Sequence, residues 1–526
     1  MASIIKPFWW FNDEQKELIK DSNQFADDHI HLSEKAYWEK RFPWEVMDMV
    51  AEKGYMGAGV PKKYGGLGLG ATGSCIVAEA LGRLYAVGHV FVVSMLGGLH
   101  QFLKFGTEEM KQKYLTQIAD GNVLGAVCIT EPFAGSDAAN VYTTAEKDGD
   151  EWIINGKKRM VTAVGAAGRY FVYTKTSDDP QKRKYYQHLT AFVIDKGTPG
   201  FTLEKINDLI GFDNVPNGYL DFDNVRIPDS QRCGGVGQGW QVMMAGLNFE
   251  RLIGAAVVGG GFGDIIRMLT HYMERRVQFR TQVNRFTNLQ FDLADIITKF
   301  RIARLVNYHV AYLLDHGSEM NISEMSLGVW SSIAKLYSTI SAQEIGIKAV
   351  QMSGGDGLTK FYPIERLVRE AKIGEIVAGT TEVQKMIIYR GILQEPGFND
   401  IDHRFKLHPE LDVPIITSEE SPWLDKELTE ETFLKILADD YKMNPGLYMT
   451  DQDLRDLTNW KRSGIREMAE KLEEEGLVVT YRDRKGKVKM VKATYKGLDK
   501  ANPKEYYRWF PPWAKEDERL MEMTKF

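Results

Sequence analysis

Glu250 and Arg251 stand side by side in an otherwise apolar run, Trp240–Gly263 (WQVMMAGLNFERLIGAAVVGGGFG). Read as a helix, this run places Gly246, Leu247, Ile253 and Gly254 three and four positions from Glu250. None of these can neutralise a carboxylate, and the two glycines leave space beside it. Arg251 is next in sequence but points about 100° away around the helix. A buried carboxylate without a local partner has its charged form disfavoured and its pKa raised. That makes a general base near neutral pH when a substrate lies beside it. The alternative is a core glutamate paired with an Arg or Lys from elsewhere in the chain.

Three other stretches carry chemistry. Thr130-Glu131-Pro132-Phe133-Ala134-Gly135-Ser136-Asp137 leaves a predicted strand through small residues. Its backbone N–H groups and the hydroxyls of Thr130 and Ser136 suit a polar ring edge or a phosphate. The segment 272–295 opens with Arg275 and Arg276, and Phe279, Phe286 and Leu289 form an apolar stripe. It is either a solvated basic helix face or a phosphate clamp, since guanidinium matches phosphate geometry. Residues 363–393 predict a helix, a break at Ala378-Gly379-Thr380, and a second helix capped by Thr380. The free N–H groups of that second helix can face a substrate oxygen.

The elements that must hold these residues follow from composition and periodicity. At 526 residues the chain is long enough for three or four domains of ~150 residues. With 44% hydrophobic and 26% charged residues it has the balance of a globular protein. The net charge of -6 gives no basic footprint for nucleic acid. Cys75, Cys128 and Cys233 lie far apart with no CxxC, which argues against a disulfide framework or a sulfur metal site and fits a reducing compartment. The N-terminus lacks a signal-peptide layout, and no run of ~18 uncharged apolar residues exists. The expectation is a cytoplasmic protein with no membrane span, no metal and no nucleic-acid partner.

Residues 1–125 read as helical, with candidates at Trp44–Lys53, Cys75–Leu84 and Val90–Lys104, the last containing Gly97 and Gly98. Those glycines mark close packing or room for a ligand. GYMGAGVPKKYGGLGLG (54–70) has no phosphate-loop pattern and reads as a tight connection. Thr107 is an expected N-cap. Residues 126–238 change to short strand-like runs (AVCIT, EWIINGKKRMVT, YFVYTKT, LTAFVI, YLDFDNVRI), an antiparallel β module. Residues 239–398 return to helix, including a long one near Met325–Gln351 stopped by SGGDG. Residues 399–526 add a Pro- and acid-rich linker (408–424), helices near 428–441 and 451–475, and two strands joined at Lys485-Gly486. That order suggests a small winged-helix-like module whose acidic helix favours a subunit contact or a lid over nucleic acid. An aromatic tail, YYRWFPPW (506–513), is expected to pack against something.

Taken in order, VPKKYGGLGLG, GTEEMKQKYL, TEPFAGSD, RMVT, VRIP, RVQF, QMSGGDG and IVAGTTEVQ resemble the acyl-CoA dehydrogenase family over about residues 30–395. The resemblance implies an α+β fold: an N-terminal helical domain (1–125), a central antiparallel β domain (126–238) and a C-terminal four-helix bundle (239–398). An extra α/β module (399–526) follows. It implies FAD as cofactor. Ile129, Thr130, Gly135 and Ser136 match residues around the flavin ring and pyrophosphate, and Ser136 and Arg251 match substrate contacts. Thr162 matches a flavin-edge threonine, and Met160 stands where many members carry a tryptophan. Arg276 and Phe279 match residues on the adenine half, and Gln351 and Gly355 match residues that a neighbouring subunit supplies to it. Ile376, Thr380 and Glu382 match the family's last flavin contacts, while Arg280 and Thr287 replace a usual glycine and glutamine.

The departure at the base is informative. Most members place the catalytic glutamate just before the Gly-Thr of the last motif, where this chain has Ala378. A subset, typified by isovaleryl-CoA and long-chain acyl-CoA dehydrogenases, places it on the buried helix before an arginine, which is Glu250-Arg251 here. Glu375 and Glu382 are nearby alternatives. The resemblance then implies that Glu250 removes an α-proton of an acyl-CoA thioester. The backbone N–H of Ala378 and a ribityl hydroxyl of FAD would hold the thioester oxygen, and the β-hydride would pass to the flavin and on to an electron-transfer flavoprotein. An acyl-CoA oxidase, an enoyl-CoA reductase and a non-catalytic complex subunit are the rivals. Gly97, Gly98, Gly246 and Gly254 hint at a roomy acyl pocket, and the shared FAD contacts imply a homo-oligomer, expected to be a tetramer.

Overall fold

Helical periodicity at the start of the chain gives α1 (Asp13–Trp38), α2 (Trp44–Glu52), α3 (Gly70–Gly82), α4 (Ala86–Leu96) and α5 (Leu99–Phe105). The computed structural model describes residues 5–393, 421–443, 447–483 and 485–502, and the chain divides into two units, residues 1–393 and 394–526. In the first unit α3 has no polar face, and every residue from Ala71 to Gly82 is buried. Its first N–H groups lack a local cap. The Asp315 carboxylate, distant in sequence, accepts from the N–H of Ala71 and Thr72 at 2.6 and 2.9 Å, which also suits the positive end of the helix dipole. Glu79 of α3 accepts from Arg304 and Tyr308 at 2.6 and 2.7 Å. Thr107 caps the short helix after α5 as expected, accepting from the Met110 N–H at 3.2 Å.

The run Val90–Lys104 is not one helix. α4 stops at Leu96, Gly98 takes φ +145°, and α5 restarts at Leu99. A strand crosses here: a side chain on Gly97 would lie 2.8 Å from the backbone of Gly125 and Ala126. A side chain on Gly98 would strike the Phe102 ring. These two glycines allow close packing and leave no ligand space.

The middle of the chain forms one sheet from β1 (Gly125–Cys128), β2 (Thr144–Asp148), β3 (Glu151–Thr162), β4 (Arg169–Lys175), β5 (Leu189–Asp195), β6 (Phe201–Asn207), β7 (Asn217–Pro228) and β8 (Arg232–Cys233). The order is β6-β7-β3-β2-β4-β5-β8, with β1 also beside β4. Pairing is antiparallel except that β1 and β2 meet β4 in parallel register. Trp152, Ile154, Phe192, Phe222 and Val225 are among the residues of its own buried core.

Helix α6 (Gly239–Arg275) runs 37 residues, well beyond the predicted Trp240–Gly263. The basic helix face expected over 272–295 does not form. The chain leaves α6 at Arg276, and β9 (Val277–Gln278) pairs with β10 (Thr281–Gln282) around Phe279 and Arg280 at φ +50° and +65°. Two left-handed central residues match the twist of a tight hairpin. Helices α7 (Thr287–His316), α8 (Glu324–Ser353), α9 (Ile364–Ile376) and α10 (Thr381–Ile392) complete the unit. Among the described residues two stretches, Ala86–Phe105 and Gly239–Arg275, are long and apolar enough to cross a membrane by composition, but 83% and 67% of their apolar windows are buried inside the protein.

The second unit contains α11 (Glu430–Met443), β11 (Met449–Thr450), α12 (Asp451–Thr458), α13 (Arg462–Glu474), β12 (Val478–Arg482), β13 (Val488–Ala493) and α14 (Tyr495–Ala501). Its antiparallel sheet has the order β11-β13-β12, and the elements run helix–strand–helix–helix–hairpin along the chain. The helix expected over 451–475 is split, because Asn459 turns left-handed at φ +59° and the Trp460 side chain is buried. Trp460 stacks on Phe433 and donates to the Lys426 carbonyl at 2.7 Å. Most of the linker (408–420) and the aromatic tail (506–513) lie outside the described residues.

Back in the first unit, α3 and α6 cross backbone to backbone. A side chain on Gly260 would collide with the Glu79 carbonyl, and one on Gly82 with the Val257 carbonyl, whereas Gly261 faces open space. This contact fixes the height of α6, and with it the position of Glu250. Gly260→Ala should lower stability by about 1–3 kcal/mol or more from overpacking. Gly261→Ala should raise it by up to about 1 kcal/mol from helix propensity. Urea denaturation of the two variants checks this, and equal effects would show that the crossing yields freely.

Candidate active site

Glu250 lies on α6 with 7% of its surface exposed, and its Oε2 atom has no hydrogen-bond partner among the described residues. Burial drives its pKa up to about 7, against the opposing charges of Arg251 and Lys335. Neither cation forms a direct ion pair with it. Arg251 turns away, as its helix position requires, and donates to Asn248 Oδ1 at 3.0 Å and to the Ala378 carbonyl at 3.3 Å. Burial pulls the Arg251 pKa down to about 10. His100 stacks on Phe249 at 4.0 Å, and burial pushes its pKa down to about 3, so it adds no charge. Of the four glycines expected to make room, only Gly254 faces open space; a side chain on Gly246 would run into the Gln101 amide. Space beside the carboxylate therefore opens one turn C-terminal to it.

The break between α9 and α10 is built as the sequence suggests. Ala378 and Gly379 take φ +56° and +93°, and Thr380 accepts from the Val383 N–H at 3.4 Å. Gln384 donates to the carbonyls of Ala378 and Gly379 at 3.2 and 2.7 Å. The Ala378 N–H donates to no protein acceptor among the described residues. The two alternative bases fare worse than Glu250. Glu382 is exposed, and its hydrogen bonds with its own backbone and with Thr380 lower its pKa. Glu375 is tied to Lys372 at 2.9 Å. Ile376 is exposed beside the turn.

The loop after β1 is fastened from beneath. Glu131 and Lys158 form a buried ion pair at 2.7 Å, and Lys158 also donates to the Ile129 carbonyl at 3.1 Å. Glu131 accepts from the N–H groups of Tyr142 and Thr143 at 2.5 and 3.0 Å. The Arg159 N–H reaches the Thr130 carbonyl at 2.8 Å, which joins the loop to β3. Gly135 and Ser136 are exposed, with open space at Gly135. On β3, Met160 takes φ +58° at a register shift, and Thr162 accepts from Asn217 at 3.1 Å. Thr130 is thus joined to β3, which ends at Thr162, and Gly135 and Ser136 follow in an exposed loop. Hydroxyls and open backbone of this kind have the chemistry that a flavin edge and a pyrophosphate require.

The residues matched to the adenine half sit apart from that loop in sequence. Arg276 and Phe279 belong to the hairpin after α6, and the Phe279 ring is 91% exposed. Gln351 is exposed near the end of α8, and Gly355 faces open space just beyond it. Tyr272 joins the end of α6 to that turn, donating to the Ser353 carbonyl at 2.9 Å and to Asp356 at 3.0 Å.

Lys335, Gln384, Glu131 and Lys158 were not singled out from the sequence. For Lys335 a signal existed. Its helix neighbours are Ser331, Ser332, Ser338 and Thr339, so it lacks a local acid just as Glu250 lacks a local base. The other three gave no comparable pattern.

Comparison with known proteins finds matches to the acyl-CoA dehydrogenase N-terminal domain over residues 12–122, the middle domain over 126–225 and the C-terminal domain over 237–393. The chain is 35% identical to an acyl-CoA dehydrogenase of Bacillus subtilis (strain 168) over 353 residues, 67% of this chain and 90% of that one. It is 32% identical to an acryloyl-CoA reductase (NADH) of Anaerotignum propionicum, over 72% of this chain and 95% of the other. The solved structure of butyryl-CoA dehydrogenase from Megasphaera elsdenii superposes with a TM-score of 0.69 at 29% identity, covering 74% of this chain and all of that one.

Burial of Glu250 also has a thermodynamic consequence. Its folded pKa lies above the unfolded value, so the stability contributed by the neutral acid is full below pH 4.5 and is lost as pH rises through 7. Glu250→Gln should therefore melt above wild type at pH 8 and close to it at pH 5. The limit is about 3 kcal/mol from the size of the shift. Thermal melts of both proteins at the two pH values check this.

Proposed function

The chain belongs to the acyl-CoA dehydrogenase family, FAD-dependent oxidoreductases acting on CH–CH bonds, and on that premise we propose that Glu250 is the general base of its reaction. The reaction is α,β-dehydrogenation of an acyl-CoA thioester, with electrons delivered to an electron-transfer flavoprotein. FAD, when bound, supplies the acceptor for the β-hydride. The chain's own task is to take the α-proton and to hold the thioester oxygen while negative charge develops on it. The observation that carries the assignment is a buried carboxylate with a pKa near 7 and, among the described residues, a free oxygen and no ion pair. A carboxylate in a direct ion pair would be too weak a base.

The Ala378 N–H is the proposed donor to the thioester oxygen. Its lack of an acceptor among the described residues and its place on a turn held by Arg251 support that role. Donors aimed at a developing oxyanion contribute most to such a reaction. Ile129, Thr130, Gly135, Ser136, Met160 and Thr162 are proposed around the flavin and pyrophosphate, with Ile376, Thr380 and Glu382 as further flavin contacts. Ser136 and Arg251 are proposed to reach the substrate. Arg276 and Phe279 are proposed on the adenine half, completed by Gln351 and Gly355 of another copy.

A homotetramer is the proposed assembly. Phe291, Ile302, Leu305 and Tyr312 form one exposed apolar stripe along α7, which supports burial against another copy. Light scattering should give an oligomer. We propose a cytoplasmic location, in keeping with three buried free thiols, and the domain division 1–125, 126–238, 239–398 and 399–526. In the second unit Arg462 and Arg466 both pair with Asp451, and Arg482 pairs with Glu470 and Glu473. With these arginines neutralised, a protein contact is favoured there over nucleic acid.

The reductase name of one relative favours a second reading, in which Glu250 returns the α-proton to an enoyl-CoA. Anaerobic mixing with straight, branched and aryl acyl-CoAs tests the first. Flavin absorbance at 450 nm should bleach in wild type, with a rate that rises with pH around a midpoint near 7. Glu250→Gln should retain FAD and lose bleaching by at least about 10³-fold, while Glu375→Gln and Glu382→Gln keep it. Equal bleaching in wild type and Glu250→Gln would refute the assignment. NADH oxidation that requires an enoyl-CoA would establish the reverse direction.

A further inference from the structure

Lys335, near the middle of α8, is 3% exposed and is one turn from nothing acidic on its own helix. Its ammonium donates to the Gly379 carbonyl at 2.6 Å and to the Glu375 carbonyl at 3.1 Å. Burial lowers its pKa to about 8, so it remains mostly charged at neutral pH. It lies within electrostatic reach of Glu250 but makes its hydrogen bonds to backbone.

The two carbonyls it holds flank Ala378. That alanine takes φ +56°, where a Cβ costs roughly 1 kcal/mol or more. Such a conformation persists only when its surroundings over-determine it. Three side chains from three helices do this. Arg251 of α6 holds the carbonyl of Ala378, Gln384 of α10 holds those of Ala378 and Gly379, and Lys335 of α8 holds those of Glu375 and Gly379. Only Lys335 among them grips the turn on both sides of Ala378. With these carbonyls held by side chains, the Ala378 N–H has no acceptor among the described residues.

We propose that Lys335 is a positioning residue for the thioester oxygen. Its two backbone bonds set the 375–379 turn so that the Ala378 N–H faces the substrate. The same bonds keep the ammonium beside Glu250 without pairing to it. This inference rests on the reading of Ala378 as the thioester donor and of Glu250 as base. The charged or titratable groups that face Glu250 are Arg251 on its own helix, Lys335 on α8 and Tyr173 on β4, whose burial keeps the phenol neutral. Glu375 and Glu382 act on Lys335 from the turn and from α10. Removing the ammonium therefore removes one of two positive charges that favour the ionised base.

The experiment uses FAD-loaded Lys335→Met and Lys335→Gln beside wild type and Glu250→Gln. The probes are butyryl-CoA and whichever of the tested acyl-CoAs bleaches wild type fastest. With FAD content and melting behaviour as controls for folding, Lys335→Met should lose roughly 10²-fold in the limiting bleaching rate while the dissociation constant changes by less than about threefold. Its ascending pH limb should move to higher pH, because the base loses a neighbouring cation. Lys335→Gln, which keeps a donor without the charge, should recover part of the rate but not the position of the limb. A crystal structure of Lys335→Met should find Ala378 outside the left-handed region. A wild-type rate and pH limb in Lys335→Met, or an unchanged Ala378, would overturn the proposal. Normal bleaching by Glu250→Gln would instead defeat the base assignment, and the Ala378 conformation in Lys335→Met would still decide this one. If Lys335→Met does not fold, Lys335→Gln decides by the same shift of the limb, and an unshifted limb there would overturn the proposal.

Discussion

Two buried cations beside Glu250 direct their hydrogen bonds to backbone carbonyls, and the chemistry of the site depends on that choice. Arg251 and Lys335 sit close enough to favour an ionised Glu250 yet form no direct bond to it. Had either paired with the carboxylate, the pair would have been a structural ion pair with a depressed pKa. Had neither been near, burial alone would have kept the acid neutral well above pH 7. The balance between desolvation and two unpaired charges leaves the group near 7.

That balance requires precise placement of three helices. α6 carries Glu250 and Arg251, α8 carries Lys335, and the α9–α10 turn supplies the carbonyls. Glycine sets the first of these. Gly82 and Gly260 let α3 and α6 meet backbone to backbone, and Gly246 lets the Gln101 amide lie against α6 four residues before the base. Glycines that weaken a helix by propensity are retained here because any side chain would displace the element that carries the carboxylate. The polar groups enclosed by this packing are satisfied over long sequence distances, as with Asp315 on the start of α3 and Arg304 on Glu79.

The sheet supplies the loop proposed to meet the flavin. β1 enters beside β4 in parallel register, between the α4–α5 break and the rest of the sheet, and delivers the Thr130–Ser136 loop. The buried Glu131–Lys158 pair then ties that loop to β3, on which Thr162 stands. A buried pair of this kind costs desolvation and adds little net stability. Its use here is to fix where a polar loop stands relative to a strand.

The sequence alone was sufficient for the parts governed by local rules. An apolar run with one unpartnered carboxylate marked Glu250. A glycine stop and a threonine cap located the end of α8 and the start of α10, and alternating strand runs located β3, β4, β5 and β7 almost to the residue. The ordered motifs identified the family because each is a short local string. Tertiary structure decided what sequence spacing cannot encode. Whether a glycine makes room or admits a neighbour depends on which backbone lies opposite, so Gly97, Gly98 and Gly246 proved to be contacts and Gly254 open space. The basic stretch after α6 became a hairpin because Phe279 and Arg280 turn left-handed, against their propensity. Lys335 shows the difference most directly. Its missing local partner was legible, but the carbonyls it holds lie 40 and 44 residues away, on a turn that only the folded chain brings to it.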